Sequence, residues 1–307
     1  MAAHLQAVAR AARSLGTLVA ISYLAFGYLA SGTWYLVPVS AQPAPRRVVS
    51  LVPNVTEMIF AIGAGDRLVG VSSFDAYPPD VNRIARVGGL LDPDLERIFA
   101  LRPALAVIYG SQQDLRRQLE RAGIATYAYR HGGVADVPRT MRELGVRLGV
   151  RESAERAAAS LESGLHAVRA RVAGRPRPRV MLVFGREKGA LRSIYASGGR
   201  GFLHDLVEIA GGDDVFADID RESVQATVEL VLGRSPEVIV EIHGGEVLSE
   251  AAAAREAQVW SALAGLPAVR RQRVHVLSGQ ELVTAGPRLV RAAERLARAI
   301  HPEAHGR

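Results

Sequence analysis

Apolar and polar positions along this chain fall into two kinds of short run. Runs of consecutive apolar residues rich in valine and isoleucine read as buried strands at 48–52, 68–72, 104–109 and 124–129, and again at 179–184, 237–242 and 273–277. Between them apolar residues recur at helical spacing. This predicts helices over 56–61, 94–101, 112–122, 201–210, 227–234, 250–264 and 286–300. Pro53 closes the first strand, and Thr56-Glu57 opens the first helix with Asn54 or Thr56 as its cap. Strands alternating with helices imply parallel sheets covered by helices.

The pattern occurs twice. Leu95-Glu-Arg-Ile-Phe-Ala-Leu-Arg-Pro103 and Val228-Glu-Leu-Val-Leu-Gly-Arg-Ser-Pro236 each place a glutamate on a short amphipathic helix, a proline seven residues later and a β-branched run after that. The pairs Glu96/Pro103 and Glu229/Pro236 are offset by 133, and the strands opening each half, at Arg47 and Arg179, by 132. Gly63-Ala-Gly-Asp66 is echoed by Ala210-Gly-Gly-Asp213. Between the halves, Val137 to Val172 shows no strand signal, and Leu144, Leu148, Leu161, Leu165, Val168 and Val172 keep helical spacing. If continuous, this stretch makes a helix of roughly 50 Å. Gly145, Gly149 and Gly164 each weaken it by up to about 1 kcal/mol, so a break near Gly149 is the alternative. Arg175-Pro-Arg-Pro178 ends it. The expected fold is α/β: two Rossmann-like lobes with parallel sheets, residues 46–136 and 178–302, joined by a long α-helix at 137–175. A stiff helical joint disfavours wide hinge closure. A cleft between two lobes is where small ligands bind.

The first residues have a different character. Arg10 and Arg13 precede an uncharged stretch whose core, Leu15 to Val37, is mostly apolar, and Val39-Ser40-Ala41 and Ala30-Ser31-Gly32 offer small residues where a signal peptidase reads. Residues 1–41 are therefore expected to be a signal peptide, with an uncleaved membrane anchor as the alternative, since the stretch is long enough to span a bilayer. Both readings put residues 46–307 outside the cytoplasmic membrane, and a soluble periplasmic protein fits best.

Composition narrows the chemistry. The 307 residues contain no cysteine, which excludes disulfides, thiolate metal sites, thiol nucleophiles and a lipid on an N-terminal cysteine. The net charge is +7, Lys188 is the only lysine, and the arginines are spread along the chain instead of forming an aromatic-laced stripe, so no nucleic-acid partner is expected. The chain has no Gly-x-Ser-x-Gly elbow, no His-Glu-x-x-His and no glycosidase-like carboxylate pair. A two-domain extracytoplasmic α/β enzyme would need a base or nucleophile with a supporting partner, and none is visible.

In parallel α/β lobes ligands meet the carboxyl ends of strands. That rule nominates Asn54, Tyr109 and His131 in the first lobe and Phe184, Arg186, His243 and Gln280 in the second. His131 and His243 follow apolar strands, one per lobe; either a metal contact or an ordinary loop histidine fits that placement. The loop from Gly185-Arg-Glu-Lys-Gly189 to Ser197-Gly-Gly-Arg-Gly201 lacks the Gly-Lys-Ser/Thr ending of a phosphate loop and reads as a mobile loop over the cleft.

Taken in order, Arg47-Val-Val-Ser-Leu-Val-Pro-Asn-Val-Thr-Glu57, Gly63-Ala-Gly-Asp-Arg-Leu-Val-Gly-Val71, Tyr77-Pro78, Leu95-Glu96 with Arg102-Pro103, and Phe202 with Gly211-Gly212 and Val215-Phe-Ala-Asp218 resemble the helical-backbone substrate-binding proteins of ABC importers. The resemblance covers roughly residues 46–302. It implies a binding protein and not an enzyme, carrying vitamin B12, an iron-siderophore or haem to a membrane permease dimer, with no resident cofactor. The B12-binding branch is nearest, through Tyr77-Pro78-Pro79, Ser235-Pro236 and Pro287-Arg288. That branch lines its cleft with tryptophans, whereas this chain has only Trp34 and Trp260; Tyr109 stands at one such position and Gln280-Glu281 at another. The resemblance implies that Tyr77, Tyr109 and Phe184 cover the flat face of a corrinoid or porphyrin, and that Asn54, Arg186 and Arg192 meet its polar arms. It also implies that Glu96 and Glu229 dock on permease arginines.

Overall fold

The computed structural model describes residues 44–305 apart from Glu246. The expected signal peptide or anchor at 1–41 lies outside the described residues, and among those described no helix is long and apolar enough to cross a membrane.

The first strand, β1 (Val48–Ser50), is the centre of the first lobe. Helix α1 runs Pro53–Ala61. It starts three residues earlier than the sequence pattern suggested, with Pro53 inside the helix and Val52 as an N-cap that makes no side-chain bond. Proline at a first helical position loses only an N–H that would have had no partner. Then follow β2 (Leu68–Val71), the two-residue β3 (Ala85–Arg86), α2 (Leu95–Ala100), β4 (Leu105–Tyr109), α3 (Gln113–Arg121) and β5 (Ala125–Tyr129). The sheet order is β3-β2-β1-β4-β5, with every pairing parallel.

The stretch between the lobes is two helices, α4 (Asp136–Arg147) and α5 (Arg151–Val172). The chain breaks at Gly149, which takes φ +63, a left-handed conformation that glycine adopts at least cost. The short link folds α4 back along α5. Arg142 on α4 bonds Glu155 at 2.8 Å and Glu162 at 2.7 Å on α5. The strut is thus α5, about 33 Å for its 22 residues, braced along its first half by α4. Gly164 sits where α5 meets the last helix: a Cβ there would come within 2.6 Å of Val290 Cγ2.

The second lobe contains β6 (Arg179–Gly185), β7 (Ile194–Ser197), α6 (Phe202–Ile209), β8 (Asp213–Asp214), β9 (Ser223–Ala226), α7 (Val228–Arg234), β10 (Val238–His243), α8 (Glu250–Val259), α9 (Pro267–Arg270), β11 (Val274–Ser278) and α10 (Leu289–Ile300). Its sheet is mixed, which corrects the expectation of two purely parallel sheets. β7 runs antiparallel to β6 and β9 antiparallel to β7. The glycine-rich stretch read as a loop over the cleft is partly this β6–β7 hairpin, turned through Glu187–Arg192.

The doubling is visible in the pairing register. Val48 pairs with Leu105, and Val180 pairs with Val238. The path β2-β1-β4-β5 corresponds to β8-β6-β10-β11, and β7 and β9 are additions to the second copy. One apolar cluster runs through both lobes. The α5 face Ala154, Ala158, Leu161, Leu165, Val168 and Val172 joins Val48, Val55 and Met58 to Leu182, Val240 and Leu296. Burial of that stripe, and not helix propensity, fixes the strut between the sheets.

Candidate functional site

Parallel strands deliver their carboxyl ends to one edge of each lobe, and the side chains there face each other across the junction. In the first lobe β4 ends at Tyr109 and β5 at Tyr129, with His131 just beyond. The His131 ring meets Tyr129 edge-on at 5.2 Å and Tyr109 at 5.8 Å between centroids. In the second lobe Phe184, near the end of β6, packs its ring 6.4 Å from that of Tyr195. Phe184 forms a wall of two adjoining cavities. One, of about 260 Å³, lies between the lobes and is lined by His131, Phe202, Glu222 and Val283 among others. The other, of about 360 Å³, lies on the second lobe and is lined by Lys188, His243, Gly244 and Gly245 among others.

The structure brings His131 and Phe184 onto one cavity, and Phe184, Arg186 and His243 onto the next. Other nominated residues have different surroundings. Asn54 is buried, and its Nδ2 donates to Tyr129 Oη at 2.7 Å and to the Ala285 carbonyl at 3.0 Å. Both amide hydrogens are therefore spent within the protein, the one on Ala285 tying the lobes together. Arg186 is the clearest correction to the expected polar-arm role. Its side chain is 2 % exposed, with Glu241 at 3.0 Å and Glu256 at 2.6 Å. Arg192 pairs with Glu187 at the hairpin turn. Gln280 opens a 3-10 turn (Gln280–Leu282) and lines neither cavity. Tyr77 lies at the junction under the guanidinium of Arg288, 4.1 Å from the ring centroid.

Arg288 is a residue whose role the sequence left unassigned. From the second lobe it reaches Glu57 of the first with two bonds, 2.9 and 2.6 Å. Burial pushes the Glu57 carboxyl above its ordinary value, against the pull of Arg288. With Asn54–Ala285, this pair closes one end of the junction and holds the resting spacing of the lobes.

Asp75 is a second such residue. It is 4 % exposed, and neither carboxyl oxygen has a hydrogen-bond partner among the described residues. Arg86 spends its nearby Nη1 on the Ser72 and Asp75 carbonyls. Desolvation pushes the carboxyl from 3.8 up to about 7; Thr56 and Ser72 lie close enough to ease the charge without completing a bond to it. A raised folded-state value means the native protein holds this proton more tightly than the unfolded chain. Stability from the group is present below pH 4 and is lost as pH rises toward 7. Asp75→Asn is therefore expected to raise the melting temperature by several degrees at pH 8 and to leave it unchanged at pH 4, read by calorimetry across that range. Equal melting shifts at both pH values would refute this.

The repeated motif forms a second face. Glu96 and Glu229 occupy the first turns of α2 and α7, both exposed. Asp94 caps one helix, accepting from Arg97 N at 2.9 Å, and Thr227 caps the other, accepting from Leu230 N at 3.2 Å. One turn after each glutamate stands an exposed apolar side chain, Phe99 at 40 % and Leu232 at 45 %. Each helix ends near a left-handed residue before proline, Arg102 at φ 44 and Ser235 at φ 46. Each helix runs antiparallel to the strand that follows it, so its first turn lies at the carboxyl edge of its sheet, beside the cleft. Neither glutamate forms an ion pair among the described residues. The doubling thus reproduces cap, charge, apolar neighbour and backbone strain together.

Comparison with known proteins agrees with this architecture. Residues 48–281 match the profile of a family described as "Periplasmic binding protein". The vitamin B12-binding protein of Salmonella typhimurium is 34 % identical over 235 residues, covering 76 % of this chain and 83 % of that one. An uncharacterized ABC transporter substrate-binding lipoprotein of Bacillus subtilis is 27 % identical over 270 residues, covering 86 % of this chain and 83 % of its own. The crystal structure of the periplasmic vitamin B12 binding protein of Vibrio cholerae superimposes with a TM-score of 0.72 at 24 % identity, covering 86 % of this chain and 99 % of that one. On the family match, and on the two-lobed scaffold with its strut, the chain belongs to the periplasmic binding protein family.

Proposed function

We propose that this chain is the substrate-binding protein of an ABC importer, working in the periplasm, and that it captures a corrinoid in the inter-lobe cleft and passes it to a membrane permease dimer. The observation that carries the ligand assignment is the 34 % identity, over most of both chains, to a protein named for vitamin B12 binding. The cleft chemistry supports it. His131, with Tyr109 packed beside it, and Phe184 offer rings on both sides of the junction, suited to a flat macrocycle. The inter-lobe cavity of about 260 Å³ is too small to enclose a whole corrinoid. The ligand therefore lies across the cleft mouth and over Phe184 into the neighbouring cavity, with part of its surface left to solvent. The paired faces at Glu96 and Glu229 suit a partner with two-fold symmetry, one subunit per lobe.

A second reading is an iron-siderophore or haem as cargo. His131 and His243 at the two cavities, with no tryptophan lining either among the described residues, favour it. Titration calorimetry of the mature chain against cyanocobalamin, haemin and a ferric siderophore separates the readings. The expected result is a micromolar or tighter Kd for cyanocobalamin and a corrinoid spectrum that survives desalting. Retention of haemin or siderophore alone would move the assignment to the second reading.

A further inference from the structure

We infer that His243 is the metal-ligating side chain of the cleft, its Nδ1 taking an exchangeable axial position on a planar metal chelate seated against Phe184. This rests on the chelate reading above and adds the atom that touches the metal.

The argument starts from strand geometry. Glu241 and His243 are two apart on β10 and share a face of the sheet. Glu241 is 2 % exposed, and its Oε2 accepts from Arg186 Nε at 3.0 Å and from Trp260 Nε1 at 2.9 Å. Guanidinium and indole N–H groups only donate. Oε1 is left for His243, whose Nε2 lies 2.9 Å away. A carboxylate held by these two donors is itself an acceptor, so Nε2 carries the hydrogen and Nδ1 carries the lone pair. A carboxylate that fixes the tautomer and the ring angle through the remote nitrogen is how proteins hold a histidine that ligates a metal.

The imidazole is placed to be used. Its side chain is 33 % exposed and lines the cavity of about 360 Å³ that Phe184 walls. Space is open two residues on, at Gly245, where an added Cβ would meet nothing within 4 Å, whereas one at the adjacent Gly244 would run into Val283. His131 differs. It meets the rings of Tyr109 and Tyr129 and has no hydrogen-bonded carboxylate to orient it among the described residues. His204 is oriented by Asp214 at 3.2 Å but lines neither cavity.

The remaining coordination positions decide the ligand class. Among the described residues, no three His, Asp or Glu side chains converge to hold a bare ion, and the chain has no cysteine. The other donors must therefore arrive with the metal, as they do in an equatorially chelated cobalt or iron. In the binding step the Nδ1 lone pair forms a bond to the metal and an axial water leaves. No electron is transferred, and the oxidation state is unchanged.

The test uses diaquocobinamide and haemin as probes, titrated into the mature chain and followed by absorbance. Each bound to the unaltered protein should show the band shift of nitrogen ligation. His243→Ala should still bind the probes but keep their aquo spectra, and added free imidazole should restore the shift. His204→Ala, at a histidine that lines neither cavity, should leave the shift intact. Probes that bind the unaltered protein without a shift, or a shift that persists in His243→Ala, overturn the assignment of His243. Failure of the unaltered protein to bind either probe counts instead against the chelate reading.

Discussion

Reversing both charges of the proposed docking pair, Glu96→Arg with Glu229→Arg, is expected to reduce ligand uptake by cells to the background of a strain lacking the protein, while the purified variant keeps its Kd within about twofold. Both side chains are exposed on short helices and form no ion pair among the described residues, so the change costs the fold little. Glu229 is held below the ordinary carboxylate range by its own backbone N–H and by Thr227, so its charge persists under mildly acidic conditions. Like charges set against a basic partner slow encounter and oppose the complex, an effect that grows at low ionic strength. Single reversals should give intermediate uptake, because the other lobe still presents its glutamate and its apolar neighbour, Phe99 or Leu232. Uptake that survives the double reversal removes the docking role. Loss of ligand affinity in the same variant would place the glutamates in the cleft.

The second large effect is on stability. Arg186→Met is expected to lower the melting temperature by on the order of 10 °C, with a loss of about 3–5 kcal/mol, because it strands two carboxylates behind the cleft. Glu241 is 2 % exposed and Glu256 13 %, and Arg186 is the cation beside both. Part of the loss should return in Arg186→Met with Glu241→Gln and Glu256→Gln, since the stranded charges are then gone. Calorimetry of the two variants checks this. A drop of only one or two degrees in the single variant would mean that the network is loosely held, and would reopen Arg186 as a ligand contact.

The parts of this molecule legible in the sequence are those encoded by local periodicity. The strands that became β1, β2, β4, β5, β6, β10 and β11 are runs of apolar residues in the sequence, and the 133-residue offset of Glu96 and Glu229 shows the doubling before any coordinates. The additions to the second lobe were not legible. β7 and β9 are four residues each, and β3 and β8 two each, too few to establish a period. The first helix began early because proline, read as a stop after a strand, also starts helices. Side-chain roles were hardest where partners are far apart in sequence. Arg186 looks like a free donor until Glu256, 70 residues on, is seen beside it. Asn54 and Glu57 find Ala285 and Arg288 at separations of 231. Strand-end placement nominated His243, which lines the second-lobe cavity, but its tautomer depends on a tryptophan 19 residues beyond Glu241.

Under the proposed importer role, the braced strut has a consequence for traffic at the membrane. With α4 clamped to α5 through Arg142, and Glu57 bonded to Arg288, little change of silhouette is expected on filling. An importer that recognises this silhouette cannot turn away vacant carriers by their shape. Empty copies then compete for the same berth as loaded ones, and overproducing the protein when its cargo is scarce should slow import.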